Sequence, residues 1–213
     1  MPNQNMQNQN QMQSGAQMPQ NMGNQTISHN HGAHEMMDTH ELLGGLIGAL
    51  EQYQLYNQHI QDQELKDILQ RQTSFMTQLY NTMVESFQTG QDPTVPTQQY
   101  NMQQSNEVTY GVQAGQPKKP KQSVSEFTDE CFSSFMLGHT KGLASSLTMA
   151  AVEMNHPVLR RILADSVPNM IEMSYELFLY QNKHGYYQVP QLNPQDMNVM
   201  VQAYTKAPQQ GMH

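Results

Sequence analysis

HPVLRRILADSVPNMIEMSYELFLYQNKHGYY, residues 156–187, is the stretch on which the fold turns. Within it Leu159, Leu163, Ser166, Met170, Met173, Leu177 and Tyr180 follow one another at intervals of 4-3-4-3-4-3. That is the seam a helix presents to neighbouring helices. Pro157 stands at a first helical turn, where proline is well tolerated, and Gly185 supplies a stop. Pro168 falls inside the pattern and predicts a kink, not an end. The reading is a helix over about 157–184, and one such stripe must be buried against other helices.

Immediately upstream, Ser123-Val124-Ser125-Glu126 has the form of a capping box. Phe127, Phe132, Phe135, Met136, Leu143, Leu147, Ala150, Ala151 and Met154 then mark a helix over about 123–155. The joint to the next helix is so short that the two must be antiparallel neighbours. A shift of 94 positions carries an earlier segment onto this hairpin without a gap. It sets Leu43-Gly44 on Leu137-Gly138, Gly48 on Gly142, Leu65 on Leu159, and Ile68-Leu69 on Ile162-Leu163. The earlier segment predicts helices over about 38–60 and 62–89. The first has the seam Leu43, Leu46, Leu50, Tyr53, Asn57 and Ile60, and Asp38 with Glu41 resembles a capping box at its start. The second has an apolar face through Leu65, Ile68, Leu69, Phe75, Met76, Leu79, Met83 and Phe87, and ends at Gly90. Gly44 with Gly48, and Gly138 with Gly142, lay small residues on one helical face. Because glycine costs about 1 kcal/mol in a helix interior, the matched pairs predict close backbone approach.

Between the hairpins, over 90–122, the periodicity vanishes among Pro93, Pro96, Pro117 and Pro120. Thirty-odd residues at roughly 3.3 Å each are enough to retrace a bundle helix, so the stretch reads as a long crossover. Residues 1–30, rich in Gln, Asn and Met, are expected to be a disordered arm, because they hold too little apolar surface to offset chain entropy. The organisation is therefore an arm over 1–30, an all-α bundle of two antiparallel hairpins over 31–192, and a tail over 193–213. In that tail Asp196 to Tyr204 suggests one short helix.

Bulk composition narrows the function. Charged residues make up 13% of the chain and the net charge is −8, so a general nucleic-acid binder, which needs a basic face, is excluded. The one basic cluster is Lys118-Lys119-Pro120-Lys121. Leu42 to Leu50 is the longest apolar stretch and is too short to insert in a membrane. The chain opens without an apolar h-region, which argues against a secretory signal. Cys131 is the single cysteine, so no internal disulfide or cysteine-based zinc site exists.

Several segments resemble the spore coat protein F family of endospore-forming bacilli. They are His34-Glu35-Met36-Met37-Asp38, His40-Glu41-Leu42-Leu43-Gly44 and Leu65-Lys66-Asp67-Ile68-Leu69, with the runs Val158 to Asn169 and Tyr180 to Pro190 in the second half. The resemblance spans about residues 30–192. It implies a ferritin-like four-helix bundle, a structural place in the spore coat after synthesis in the sporulating cell, and no enzymatic activity. Other spore coat proteins are the implied partners, with self-association left open.

A ferritin-like bundle raises the question of a di-metal centre, which needs a Glu from each of two helices and a Glu-x-x-His from each of the other two. Glu153-Met154-Asn155-His156 has that form, but it lies at a helix end, and its repeat equivalents are His59 and Asp62. A metal-binding or redox protein built on Glu153 and His156 is the rival reading. His29, His31, His34 and His40, with Glu35 and Asp38, lack a rigid ligand spacing, and their plainer reading is solvated histidines ahead of the first helix. Cys131 reads as a small buried hydrophobe, with an intermolecular crosslink as the sharper alternative. Tyr100, Tyr110, Lys118, Lys119 and Lys121 lie in the crossover, where crosslinking chemistry would reach them. No Ser-His-Asp arrangement, phosphate loop or carboxylate pair stands out, so no catalytic, cofactor-binding or metal-ligating residue is assigned.

Overall fold

A computed structural model describes residues 31–208. Four long helices, α1 (Ala33–Asn57), α2 (Gln63–Thr89), α3 (Asp129–Glu153) and α4 (Pro157–Lys183), form the bundle. A shorter α5 (Pro194–Val201) follows, and a single 3₁₀ turn, Val124–Glu126, precedes α3. None of the described helices is long and apolar enough to cross a membrane.

Side-chain pairs fix the directions. Thr39 of α1 meets Met154, the C-cap of α3, while Tyr56 meets Phe132 near its start, so α1 and α3 run antiparallel. Arg71 and Glu64 of α2 reach Glu176 and Lys183 of α4, and that pair is antiparallel as well. With each hairpin antiparallel in itself, α2 and α3 must point the same way. The segment between them retraces the bundle, about 40 Å for a 27-residue helix.

The α4 seam is buried as its spacing predicts: all seven of its positions from Leu159 to Tyr180 are fully enclosed. In α1 Leu46 and Tyr53 are buried as expected, but Leu42, Ala49 and Tyr56 take the places expected for Leu43, Leu50 and Asn57, and the seam continues N-terminally through Thr39 and Glu35. Leu43 and Leu50 are half-buried flanks, and Ile60 is buried beyond the helix end. A leucine stands on either register, so the choice falls to the aromatics. Tyr56 packs against Phe132 and Phe135, and a seam through Asn57 would forgo that contact. Phe75 and Phe87 of α2 are half-buried, and Phe135 of α3 is exposed, where the apolar faces had placed all three inside.

The helix starts also differ. Gly32 is the N-cap of α1, and Met36 N–H donates to its carbonyl at 3.0 Å, so Asp38 and Glu41 lie inside the helix. Ser123 and Glu126 form only the 3₁₀ turn, and Thr128 is the N-cap of α3. The reason is Asp129, whose carboxylate accepts the N–H groups of Gln61 at 3.0 Å and Asp62 at 3.1 Å. It ties the first turn of α3 to the α1–α2 joint. Asp62 caps α2 in turn, accepting from Leu65 N–H at 3.1 Å. α4 runs through Pro168 and ends before Gly185, at φ 72°. The short tail helix starts at Pro194, capped by Asn193, two residues before the expected start, and buries none of its residues.

Gly44, Gly48, Gly138 and Gly142 do not mediate close approach. A Cβ at any of them would meet nothing within 4 Å, because all four lie on outward faces of α1 and α3.

Candidate functional site

The most densely bonded polar group of the interior is Glu176 of α4, which is fully buried. Arg71 Nη2 donates to its Oε1 at 2.6 Å, and the backbone N–H of Gln103 donates to the same oxygen at 3.1 Å. The Tyr100 hydroxyl donates to Oε2, with Gln72 Nε2 at 3.5 Å. Gln72 also reaches the Met173 carbonyl at 3.1 Å and accepts from the Tyr53 hydroxyl at 2.8 Å. A carboxylate offers about four acceptor positions, and here the protein's own donors take them all. Burial, and then the Glu176 carboxylate, push the Tyr100 phenol well above its ordinary range. Burial opposes the charge of Arg71, but the bond to Glu176 outweighs it and raises its pKa.

This cluster fastens the crossover. Asn169, one helical face along from Glu176, accepts from Tyr100 N–H at 2.8 Å and donates to the Gln98 carbonyl at 3.1 Å. Asn182 does the same at Thr109, accepting its N–H at 2.7 Å and donating to its carbonyl at 2.9 Å. On α2, the Thr82 hydroxyl donates to the Val95 carbonyl at 3.1 Å. Tyr100, expected in an accessible linker, is therefore buried under the strap. Tyr110 remains 57% exposed, and residues 111–126 are exposed throughout.

A second buried carboxylate, Glu35, lies at the opposite end of the bundle. It takes the His31 ring and the backbone N–H of His156, the latter at 2.5 Å. Burial opposes its ionisation, but the His31 bond and the His156 N–H prevail and hold its pKa below the ordinary 4.5. His31 also bonds the Phe87 carbonyl at 3.0 Å and packs on the Phe87 ring. The expectation of solvated histidines ahead of the first helix is thus corrected. His31 is enclosed; His34 and His40 are exposed as expected but belong to α1, which begins early because Glu35 finds these donors. His29 lies outside the described residues.

Glu153 and His156 do not share a helical face. Glu153 is the last residue of α3, exposed, and His156 is the N-cap of α4, with the chain turning between them. The i, i+3 convergence that a metal ligand pair requires therefore does not form. Glu35 and Glu176 cannot meet either: His156, which holds Glu35, is 20 residues or roughly 30 Å along α4 from Glu176. Among the described residues no three His, Cys, Asp or Glu side chains gather as metal ligands would. Cys131 is half-buried in the first turn of α3 beside the Thr128 hydroxyl.

A groove of about 700 Å³ lies between the start of α1 and the end of α3. Leu42, Leu143, Met149 and Ala150 line it with apolar surface, while His34, Asp38, Glu41 and Glu153 stand among its walls.

Nothing in the sequence analysis singled out Arg71, Gln72 or Glu176, and Glu35 entered it only as a neighbour of the N-terminal histidines. A signal was present, since Glu35, Gln72 and Glu176 stand at the 3- and 4-residue spacings of their helices' apolar seams. A polar side chain on a seam requires a partner inside.

Fold and site together define a class: a helical bundle with one long crossover, whose buried charges are satisfied by its own chain. The Coat F domain family model matches residues 128–190. Over 180 residues the chain is 47% identical to Spore coat protein F-like protein YhcQ of Bacillus subtilis (strain 168), covering 84% of this chain and 82% of that protein. The chain belongs to the spore coat protein F family. A crystal structure of a candidate spore coat protein from Bacillus halodurans C-125 shares the fold, with a TM-score of 0.56 at 12% identity. That likeness covers 78% of this chain and 96% of the other.

Proposed function

We propose that the protein is a structural subunit of the spore coat that works by packing against other coat proteins and copies of itself, without catalysis. Family membership and the 47% identity to a coat F-like relative support the location. The observation that carries the non-catalytic reading is Glu176. A general acid or base must exchange a proton with a substrate within hydrogen-bond reach. The Glu176 oxygens are instead occupied by Arg71, Tyr100 and Gln103, with Gln72 alongside, in an enclosed interior. The same network holds the crossover against α4, so its chemistry serves the shape of the bundle.

A fluorescent fusion produced during sporulation tests the location. The expected result is a shell of signal around the developing spore that stays with the purified spore. Signal spread evenly through the cell at all stages would overturn the reading.

A further inference from the structure

The geometry points to head-to-tail association of this chain with itself, in which the basic segment Pro117–Lys121 of one copy docks in the α1/α3 groove of the next. The proposal deepens the structural reading given above and takes its biological purpose from it. Its test uses purified protein in solution, so either can fail without the other.

Charge complementarity selects the occupant. Asp38, Glu41 and Glu153 stand around the groove, and none of them makes an ion pair or side-chain hydrogen bond within the described residues. The chain has ten basic residues, and three of them, Lys118, Lys119 and Lys121, fall within four positions. All three are exposed, and only Lys118 has a partner, Glu130 at 2.5 Å on the surface. Such an exposed pair is worth little and exchanges readily for another carboxylate.

Shape supports the same occupant. Pro117 and Pro120 restrict the segment to an extended form, which lowers the entropy lost on docking. Proline rings and lysine stems suit the apolar lining of Leu42, Leu143 and Met149, while the ammonium groups reach the acidic side chains.

A chain does not satisfy its own groove. The segment is held near Glu130, in the first turn of α3, and Met149 and Glu153 lie at the other end of that helix, roughly 30 Å away. Two different surfaces at opposite ends make a heterologous contact, which builds rings or open chains instead of closed two-fold dimers.

Sedimentation of the full chain at about 100 μM, well above a micromolar dissociation constant, provides the test. The unaltered protein should form species larger than its 24.3 kDa monomer, and raising the salt should dissociate them. Lys118→Glu/Lys119→Glu/Lys121→Glu should weaken association at least tenfold, and so should Glu41→Lys/Glu153→Lys. Both sets change exposed side chains, and helical circular dichroism verifies that each variant is folded. Mixed together, the two variants should regain association and alternate along the assembly, because the intact basic segment fits the intact groove and the reversed segment fits the reversed groove. A chain carrying all five changes should associate with itself again. A monomeric parent protein, association indifferent to either charge reversal, or a mixture that stays monomeric would each overturn the proposal.

Discussion

The hydroxyl of Tyr100, in the middle of the crossover, donates to the carboxylate of Glu176, in the third quarter of α4, and this bond fixes the strap to the bundle. It unites residues 76 positions apart and places a phenol and a carboxylate together in an apolar interior. Neither group is isolated: Arg71 balances the charge and Asn169 holds the neighbouring backbone.

Tyr100→Phe removes this donor and leaves the ring in place. A hydrogen bond to a charged group contributes about 1.5–3 kcal/mol, and a loss of that size is expected in denaturant unfolding. Glu176→Ala should cost about 3 kcal/mol or more, since it strands Arg71, Tyr100 and Gln72 together. Because the two residues share one network, the double variant should cost less than the sum of the singles. Strict additivity would show that the bond contributes nothing to the fold.

The crossover should behave as two segments under hydrogen exchange and limited proteolysis. Amides of Tyr100 and Thr109, each bonded to an α4 side chain, should exchange slowly. Residues 111–126, exposed throughout, should take the first cuts of a nonspecific protease. Early cleavage between Val95 and Thr109 would mean that the Asn169, Glu176 and Asn182 anchors do not hold in solution.

Much of the bundle was legible because a helical seam is written in spacing. The 4-3 interval of α4 identifies its buried face residue by residue, and Gly90 and Gly185 end their helices in the left-handed conformation, at φ 68° and 72°. What eluded the sequence depends on partners distant in the chain. Leu42 and Leu43 are equivalent until Tyr56 finds Phe132. Asp38 and Ser123 carry cap chemistry, but Glu35 and Asp129 move the helix starts by finding donors elsewhere. Tyr100 sits among prolines and glutamines with no periodicity, and its burial follows from Glu176, a residue whose own pattern is helical.

The outward glycines give a prediction of opposite sign to the one their spacing suggests. With nothing within 4 Å of a Cβ, Gly→Ala at Gly44, Gly48, Gly138 or Gly142 should stabilise by about 0.5–1 kcal/mol each through helix propensity. Gly90→Ala is the contrasting control. Its φ of 68° penalises any Cβ, and a loss of about 1–2 kcal/mol is expected. Thermal unfolding of the five single variants decides the matter. Destabilisation at the four helical sites would show that another surface closes over them.

Glu35 links stability to pH. Its folded pKa lies below the ordinary 4.5, because the His31 ring and the His156 N–H favour the carboxylate more than burial opposes it. An acid with a depressed folded pKa is deprotonated more readily in the native state. Its stabilisation is complete above 4.5 and disappears as the pH falls through the folded value. Unfolding of the parent protein should therefore become easier as the pH falls below 4.5, with part of that slope belonging to Glu35. Glu35→Gln keeps the size of the side chain but never carries the charge. It should be less stable than the parent at pH 7, and the gap should narrow in acid as the parent's own carboxyl protonates. His31→Leu removes the ring donor but keeps the His156 N–H, so it should retain part of the slope. A gap between parent and Glu35→Gln that stays constant from neutral pH into acid would show that the carboxylate's charge contributes nothing to this end of the bundle.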